Sequence, residues 1–275
     1  MAEPLLHATS ALYLDAMKKN LPQSVLLAGE KGVGLETIAR WVANKELTDI
    51  IKPKNTKGDT DPQTGTISVE TIRLLYDATR SKRTTRQIII IDDAERMSRG
   101  AQSAFLKLLE EPNPHTYFIL TSHSPEALLA TIRSRLQQVT IQPLSDAQSQ
   151  KFTRNLGVKD AVKQTQLSFI AAGLPAELTR LINDDDYFQD QAKLVGDARD
   201  FLQAAPYKKF LIIQKYRSDR EGALQLLDRS LSILRRSMQA KPQPQLVKQL
   251  ESFLTARESI AANQSIALQL GQLVL

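Results

Sequence analysis

The stretch Ser24-Val25-Leu26-Leu27-Ala28-Gly29-Glu30-Lys31-Gly32-Val33-Gly34-Leu35-Glu36-Thr37 decides how this chain of 275 residues is read. Its first five residues form a largely apolar run of strand length, and the helix-like Ile38-Ala39-Arg40-Trp41-Val42-Ala43 follows it. Between the two, Gly29 and Gly34 stand at the glycine spacing of the phosphate-binding loop G-x-x-x-x-G-K-[ST], and Gly32 adds flexibility. A working loop of this kind cradles phosphate with backbone amides, neutralises it with the lysine and ligates magnesium through the hydroxyl. Here Leu35 and Glu36 occupy those two positions. Leucine cannot neutralise phosphate, and a carboxylate at position 36 repels a triphosphate. Lys31 and Thr37 are near but out of register. Two readings stand: a strand–loop–helix phosphate element with its chemistry removed, or a plain tight turn that favours glycine.

About sixty residues downstream, Ile88-Ile89-Ile90-Ile91-Asp92-Asp93-Ala94-Glu95-Arg96-Met97 describes a Walker B strand. In such a strand the first acid, Asp92, would hold magnesium and the second, Asp93, would polarise water. Asp93 is shorter than the glutamate usual in hydrolysing proteins, and an acid at a strand end can equally cap the following turn. A third element, Tyr117-Phe118-Ile119-Leu120-Thr121-Ser122-His123, is a strand ending in polar residues. Ser122 or His123 would stand where a sensor feels a γ-phosphate. Beyond it, Thr131-Ile132-Arg133-Ser134-Arg135-Leu136 brings Arg135 to a helix end, the place of an arginine finger or of an ordinary surface arginine.

Around these motifs the chain divides by pattern. Up to about residue 143, the runs Val25–Leu27, Ile88–Ile91, Tyr117–Leu120 and Val139–Ile141 alternate with helical segments, and the weaker Asp49–Lys52 offers a fifth strand. Near-continuous apolar runs separated by helices predict a parallel sheet covered on both faces, hence an α/β fold. The polar stretch Pro53–Gly65 predicts a solvent loop. Ser98 is the expected N-cap of a helix carrying Ala101, Ala104, Phe105, Leu108 and Leu109 on one face, stopped by Pro112 and Pro114. After residue 143 the strand signal ends. Three short helices are expected over 146–183, broken near Gly157 and at Gly173-Leu174-Pro175. Asp184-Asp185-Asp186 marks a boundary, and four or five further helices, punctuated at Pro206, Ser218-Asp219 and Lys241–Pro244, predict an all-α bundle.

Bulk properties narrow the classes. The chain has 42% hydrophobic and 24% charged residues, a composition of globular rather than disordered proteins. No apolar run approaches a membrane span, and no secretory signal is evident at the N-terminus, so no membrane contact is expected. The absence of cysteine removes disulfides and thiolate zinc sites and fits a cytoplasmic setting. His7, His115 and His123 are too scattered in sequence to suggest a metal site. A net charge of +6 permits contact with a polyanion without requiring it.

Taken in order, the Gly loop, Asp92-Asp93-Ala94-Glu95-Arg96-Met97, Leu108-Leu109-Glu110-Glu111-Pro112 and Thr131-Ile132-Arg133-Ser134-Arg135 resemble the bacterial clamp-loader branch of the AAA+ ATPases, and most closely its delta-prime family. Asn20-Leu21-Pro22-Gln23-Ser24, Ile67–Arg73 and Gly173-Leu174-Pro175-Ala176 agree with it, and the distinctive matches cover about residues 10–182. The resemblance implies a P-loop AAA+ parallel-sheet domain over 1–143, a small helical lid over 144–186 and a C-terminal all-α collar for oligomerisation over 187–275. By position it makes Gly29, Gly32, Gly34, Leu35, Glu36 and Thr37 a degenerate nucleotide site, Asp92 and Asp93 the Walker B acids, and Ser122 or His123 the sensor. It makes Arg135 a finger that reaches a neighbouring subunit's nucleotide. Departures are also present. The four-cysteine zinc module common in the family is missing, Leu136 replaces a cysteine, and Ala176 stands where an active relative carries a second sensor arginine.

The resemblance therefore implies a non-hydrolysing clamp-loader subunit, with no cofactor of its own and no zinc, ATP and magnesium being held by neighbouring subunits. The implied partners are a gamma/tau-type motor, a delta-type subunit, the sliding clamp and primer–template DNA. Arg80, Lys82, Arg83 and Arg86 are either a solvated face or a surface that meets DNA or an acidic partner. The competing readings are an ATP-hydrolysing gamma-type motor and another AAA+ DNA-processing ATPase; Leu35 and Glu36 weigh against the first.

Overall fold

A computed structural model describes residues 4–44, 47–61, 64–80 and 85–274. Five strands form one parallel sheet: β1 (Ser24–Ala28), β2 (Leu47–Ile51), β3 (Gln87–Ile91), β4 (Thr116–Ser122) and β5 (Gln137–Thr140), in the order β2-β3-β4-β1-β5. All four pairings are parallel, with Leu26 opposite Leu120 and Ile90 opposite Ile119. The α/β expectation thus holds, and the weak run Asp49–Lys52 does lie at a strand, β2.

The period-2 geometry of a strand explains the apolar runs. In β3, Ile88 and Ile90 point to one face of the sheet, and Ile89 and Ile91 to the other. The first face is covered by helices α1 (Ala8–Lys19) and α2 (Leu35–Ala43), the second by α3 (Val69–Arg80) and α4 (Arg99–Glu110). Phe105 of α4 meets Phe118 of β4 edge to face at 5.2 Å. Ser98 caps α4 as expected, its hydroxyl accepting from the Ala101 amide at 3.2 Å. β5 departs from expectation. It occupies Gln137–Thr140 rather than 139–141, because at this sheet edge only Val139 is buried and the glutamines give no apolar signal. Ile141 still donates its amide to Ala28 O at 2.7 Å.

Beyond the sheet come α5 (Ala130–Arg133), α6 (Asp146–Asn155), α7 (Ala161–Ala171) and α8 (Pro175–Asn183). Five helices follow: α9 (Asp185–Gln203), α10 (Pro206–Tyr216), α11 (Arg220–Ala240), α12 (Pro244–Ala261) and α13 (Ile266–Gln272). Asp184, within the expected acidic boundary, caps α9 by accepting from the Tyr187 amide at 2.9 Å. The chain forms two compact units. One comprises residues 1–164 and 173–179, the other residues 165–172 and 180–275. The second unit has its own core around Phe201, Leu226, Leu227, Phe253 and Ile260, with Phe201 and Phe253 5.9 Å apart.

Candidate functional site

All parallel strands end on one edge of the sheet, and ligand sites of open α/β sheets form beyond that carboxyl edge. There the structure assembles the Gly loop after β1, Lys52 after β2, Asp92 and Asp93 after β3, and His123 after β4.

The loop turns through two left-handed glycines, Gly32 (φ 95°) and Gly34 (φ 88°), and Gly34 leads directly into α2. Gly29 is needed for closeness: a Cβ there would lie 3.0 Å from Val33 Cγ1 and 3.2 Å from Ile141 O. The Gly32 carbonyl accepts a bond from the Ala176 amide at 3.0 Å, and Leu174 packs beside it on the sheet core. Protein groups therefore hold the loop where a ligand would otherwise be one of its supports. Ala176, where the resemblance expects a second sensor, contributes its backbone to this contact.

The two substituted positions take up new contacts. Leu35 is only 3% exposed and belongs to the core beneath the sheet face. Glu36 accepts from Arg40 Nε at 3.0 Å and Nη2 at 2.8 Å, and pairs with Lys52 Nζ at 2.8 Å. Partial burial pushes the Glu36 carboxyl up, but the bonds from Lys52 and Arg40 outweigh it and hold it below the ordinary glutamate value. Thr37 lies exposed on α2.

The strand-end acids are organised by a residue the sequence motifs did not single out. The fully buried Thr121 hydroxyl donates to Asp92 Oδ1 at 2.7 Å and accepts from the Asp93 amide at 3.0 Å. Asp92 Oδ2 lies 3.9 Å from Lys52 Nζ. Asp92 is raised above the usual aspartate value, first by burial and then by the Glu36 charge, against the bond from Thr121. Asp93 is raised by burial first and then by Asp92 and Glu95. It has a left-handed backbone (φ 50°) and starts the short 3-10 turn Ala94–Arg96.

Of the two residues expected at a sensor position, His123 reaches the Gly loop with its side chain. Its Nδ1 lies 2.8 Å from Gly29 O, and because a carbonyl only accepts, Nδ1 carries the proton. Nε2 lies 3.6 Å from Asp93 Oδ1, and the His123 amide donates to Glu95 Oε1 at 3.0 Å. Ser122 is fully buried; its carbonyl accepts from the Gly29 amide and its hydroxyl from the Ser124 amide. On the β5 side of the loop opens a cavity of about 310 Å³, lined among others by Gly29, Glu30, His123, Gln138 and Gln142, with no lysine or arginine in its wall. Among the described residues no group of histidines and acids could hold a metal ion. The residues at the loop thus do not fit magnesium–nucleotide: the lysine position is buried apolar surface, and the hydroxyl position is an occupied ion pair.

Arg135 lies elsewhere. It lies two residues before Gln137, the first residue of β5, which pairs with Val25 near the start of β1, so it sits off the amino edge of the sheet. A five-residue strand spans about 13 Å between its end residues, so Arg135 and the Asp92 cluster are at opposite edges. Its Nη1 donates to Thr131 O at 3.0 Å and its Nη2 to Glu110 Oε1 at 2.8 Å, with the side chain 39% exposed. Of the basic cluster, Arg86 stacks on Tyr117 at 4.2 Å, Lys82 and Arg83 lie outside the described residues, and nothing is described of the Arg80 side chain.

Lys52 and Thr121 were missed in the sequence for different reasons. Lys52 directly follows a weak strand and has no motif of its own, and Thr121 is hidden inside an apolar run. A polar residue one place before a strand's polar end, next to a Walker B strand, was the available signal for Thr121.

The fold and these residues bear comparison with known proteins. The profile of a family described as "DNA polymerase III, delta subunit" matches residues 46–145. The chain shares 40% identity over 73 residues with the DNA polymerase III subunit delta' of Haemophilus influenzae, covering 26% of this chain and 22% of the relative. With the delta' subunit of Pseudomonas aeruginosa the identity is 36% over 97 residues, covering 35% and 30%. These matches make part of the chain similar to DNA polymerase III delta-prime subunits. The aligned part spans less than a third of each of these curated relatives. A DNA polymerase III gamma subunit-related protein of Thermotoga maritima superposes with a TM-score of 0.55 at 18% identity, over 96% of this chain and 97% of that one. At that identity the likeness concerns the fold alone. The similarity to delta-prime subunits agrees with the motif order of the sequence, and no helix among the described residues is long and apolar enough to cross a membrane.

Proposed function

We propose that this chain is a non-hydrolysing, delta-prime-type subunit of a clamp loader, which helps load a sliding clamp onto primed DNA. The observation that carries the reading is the fate of positions 35 and 36: Leu35 is buried in the core, and the Glu36 carboxylate is bound by Arg40 and Lys52. A subunit of this kind holds no ATP, magnesium or zinc itself. Its contribution to catalysis is Arg135, offered to the nucleotide of a neighbouring motor subunit. Chain topology favours that role, since Arg135 cannot serve a site at the opposite edge of its own sheet. The Asp92, Asp93 and His123 cluster then serves as a structural clasp on the Gly loop rather than as hydrolytic machinery.

The partners in this reading are a gamma/tau-type motor, a delta-type subunit, the sliding clamp and, through the complex, primer–template DNA in the cytoplasm. We assign residues 1–143 to the P-loop-type domain, 144–186 to a helical lid and 187–275 to an oligomerising collar. The test is direct: titration of the isolated chain with a fluorescent ATP analogue and magnesium should show no saturable binding up to millimolar nucleotide. Micromolar affinity would refute a silent site and favour a motor.

A further inference from the structure

We propose that Lys52 is a tethered cation, standing in for the divalent metal ion that a working P-loop site needs and keeping the degenerate site closed without nucleotide. The inference rests on the silent-site reading above and names the residue that enforces it.

Three placements carry it. β2 pairs with β3 so that Ile51 lies opposite Ile91, and the Asp92 amide donates to Ile51 O at 2.9 Å. Lys52 is thereby level with Asp92, at the carboxyl edge, by backbone register alone. Its ammonium then lies 2.8 Å from Glu36 Oε1 and 3.9 Å from Asp92 Oδ2, between one carboxylate from α2 and one just after β3. Those two positions are where a P-loop hydroxyl and a Walker B aspartate converge on magnesium. Finally, all three side chains are largely shielded: Asp92 is 15% exposed, Lys52 30% and Glu36 32%.

Charge explains why the cation has to be built in. Replacing a hydroxyl by Glu36 adds a second carboxylate beside Asp92, with Asp93 and Glu95 following in the chain. Like charges in a partly shielded site repel, and the repulsion must be relieved by a counter-ion or by protonation. Arg40 answers Glu36 from its own helix and His123 faces Asp93, whereas Lys52 lies close to both Glu36 and Asp92. Bound this way, the ammonium occupies the ground of a metal ion, and Glu36 is unavailable to any other ligand. A free divalent ion would have to displace a charge that is covalently attached and pre-positioned, which favours the lysine at ordinary ion concentrations.

The experiment uses the full chain and Lys52→Met, which keeps the length and apolar stem and removes the charge. Thermal unfolding is followed in magnesium chloride and in sodium chloride of matched ionic strength. The wild-type midpoint should be the same in both salts. Lys52→Met should melt about 2–4 °C lower in sodium and regain part of that loss in magnesium. The double variant Lys52→Met, Glu36→Gln should melt above the single variant and lose the magnesium response, because the uncompensated carboxylate has gone. It also serves if the single variant fails to fold. A magnesium-insensitive Lys52→Met, or strictly additive losses in the double variant, would overturn the role of Lys52. Nucleotide binding by the wild type would instead overturn the silent-site reading, so the two failures are distinct.

Discussion

Asp93 meets two demands that pull apart. Its backbone is left-handed at φ 50°, a conformation that Asp and Asn tolerate better than other side chains, while its carboxyl is half-buried beside Asp92 and Glu95. Burial and these neighbours raise its affinity for a proton above that of the unfolded chain. The native state is therefore favoured by this group below the ordinary aspartate range, and that stability is lost as pH rises through the folded-state value. Asp93→Asn keeps the tolerated backbone and removes the charge. It should raise the melting temperature at pH 7, with the gain fading as pH falls to about 4, the ordinary carboxylate range. Calorimetry across that interval checks it; an equal gain at both ends would show that charge is not the cause. Glu36 has the opposite sign. Its carboxyl is held below the ordinary value, so its stabilisation is present above that value and lost on acidification through the folded one.

Among elements, the sheet is set by runs whose alternate residues feed two separate cores, and helix α4 shows how strongly one element depends on that sorting. Its start was legible from Ser98 and its stop from Pro112, because capping and proline act locally. Its packing was legible only as a face: Phe105 recurs at helical spacing with Ala101, Leu108 and Leu109. That this face would meet Phe118 edge to face required the register of β4 against β1. Phe105 is fully buried, so Phe105→Ala removes a whole ring from a closed core. A loss of about 3–5 kcal/mol is expected, measured by denaturant unfolding with an unchanged slope. A loss below about 1 kcal/mol would mean that the core relaxes around the cavity. At β5 the local signal misled, because an edge strand with exposed Gln137 and Gln138 carries one buried side chain and depends on hydrogen bonds that no side-chain pattern reports.

For the whole molecule, the proposed function turns on which edge of the sheet each charged group occupies. Asp92, Asp93, His123 and Lys52 share the carboxyl edge with the Gly loop, and Arg135 lies at the amino edge, held by Glu110 and the Thr131 carbonyl. An exposed ion pair of this kind contributes little to stability, so Arg135→Ala should leave the fold and its melting temperature nearly unchanged. In a reconstituted complex it should lower DNA-stimulated ATP hydrolysis by tenfold or more, arginine fingers in phosphoryl transfer being worth about 10³–10⁵. Steady-state ATPase assays on complexes carrying either form decide it, and an unchanged rate would remove Arg135 from the reaction. The sequence by itself determined the α/β architecture, the order of the motifs and the loss of lysine and hydroxyl at positions 35 and 36, since periodicity, glycine spacing and residue chemistry are local properties. Only the tertiary structure decided what replaced them. Glu36 lies in α2, Lys52 just after β2 and Asp92 just after β3, and parallel pairing at the sheet's carboxyl edge is what brings their charges within reach of one another.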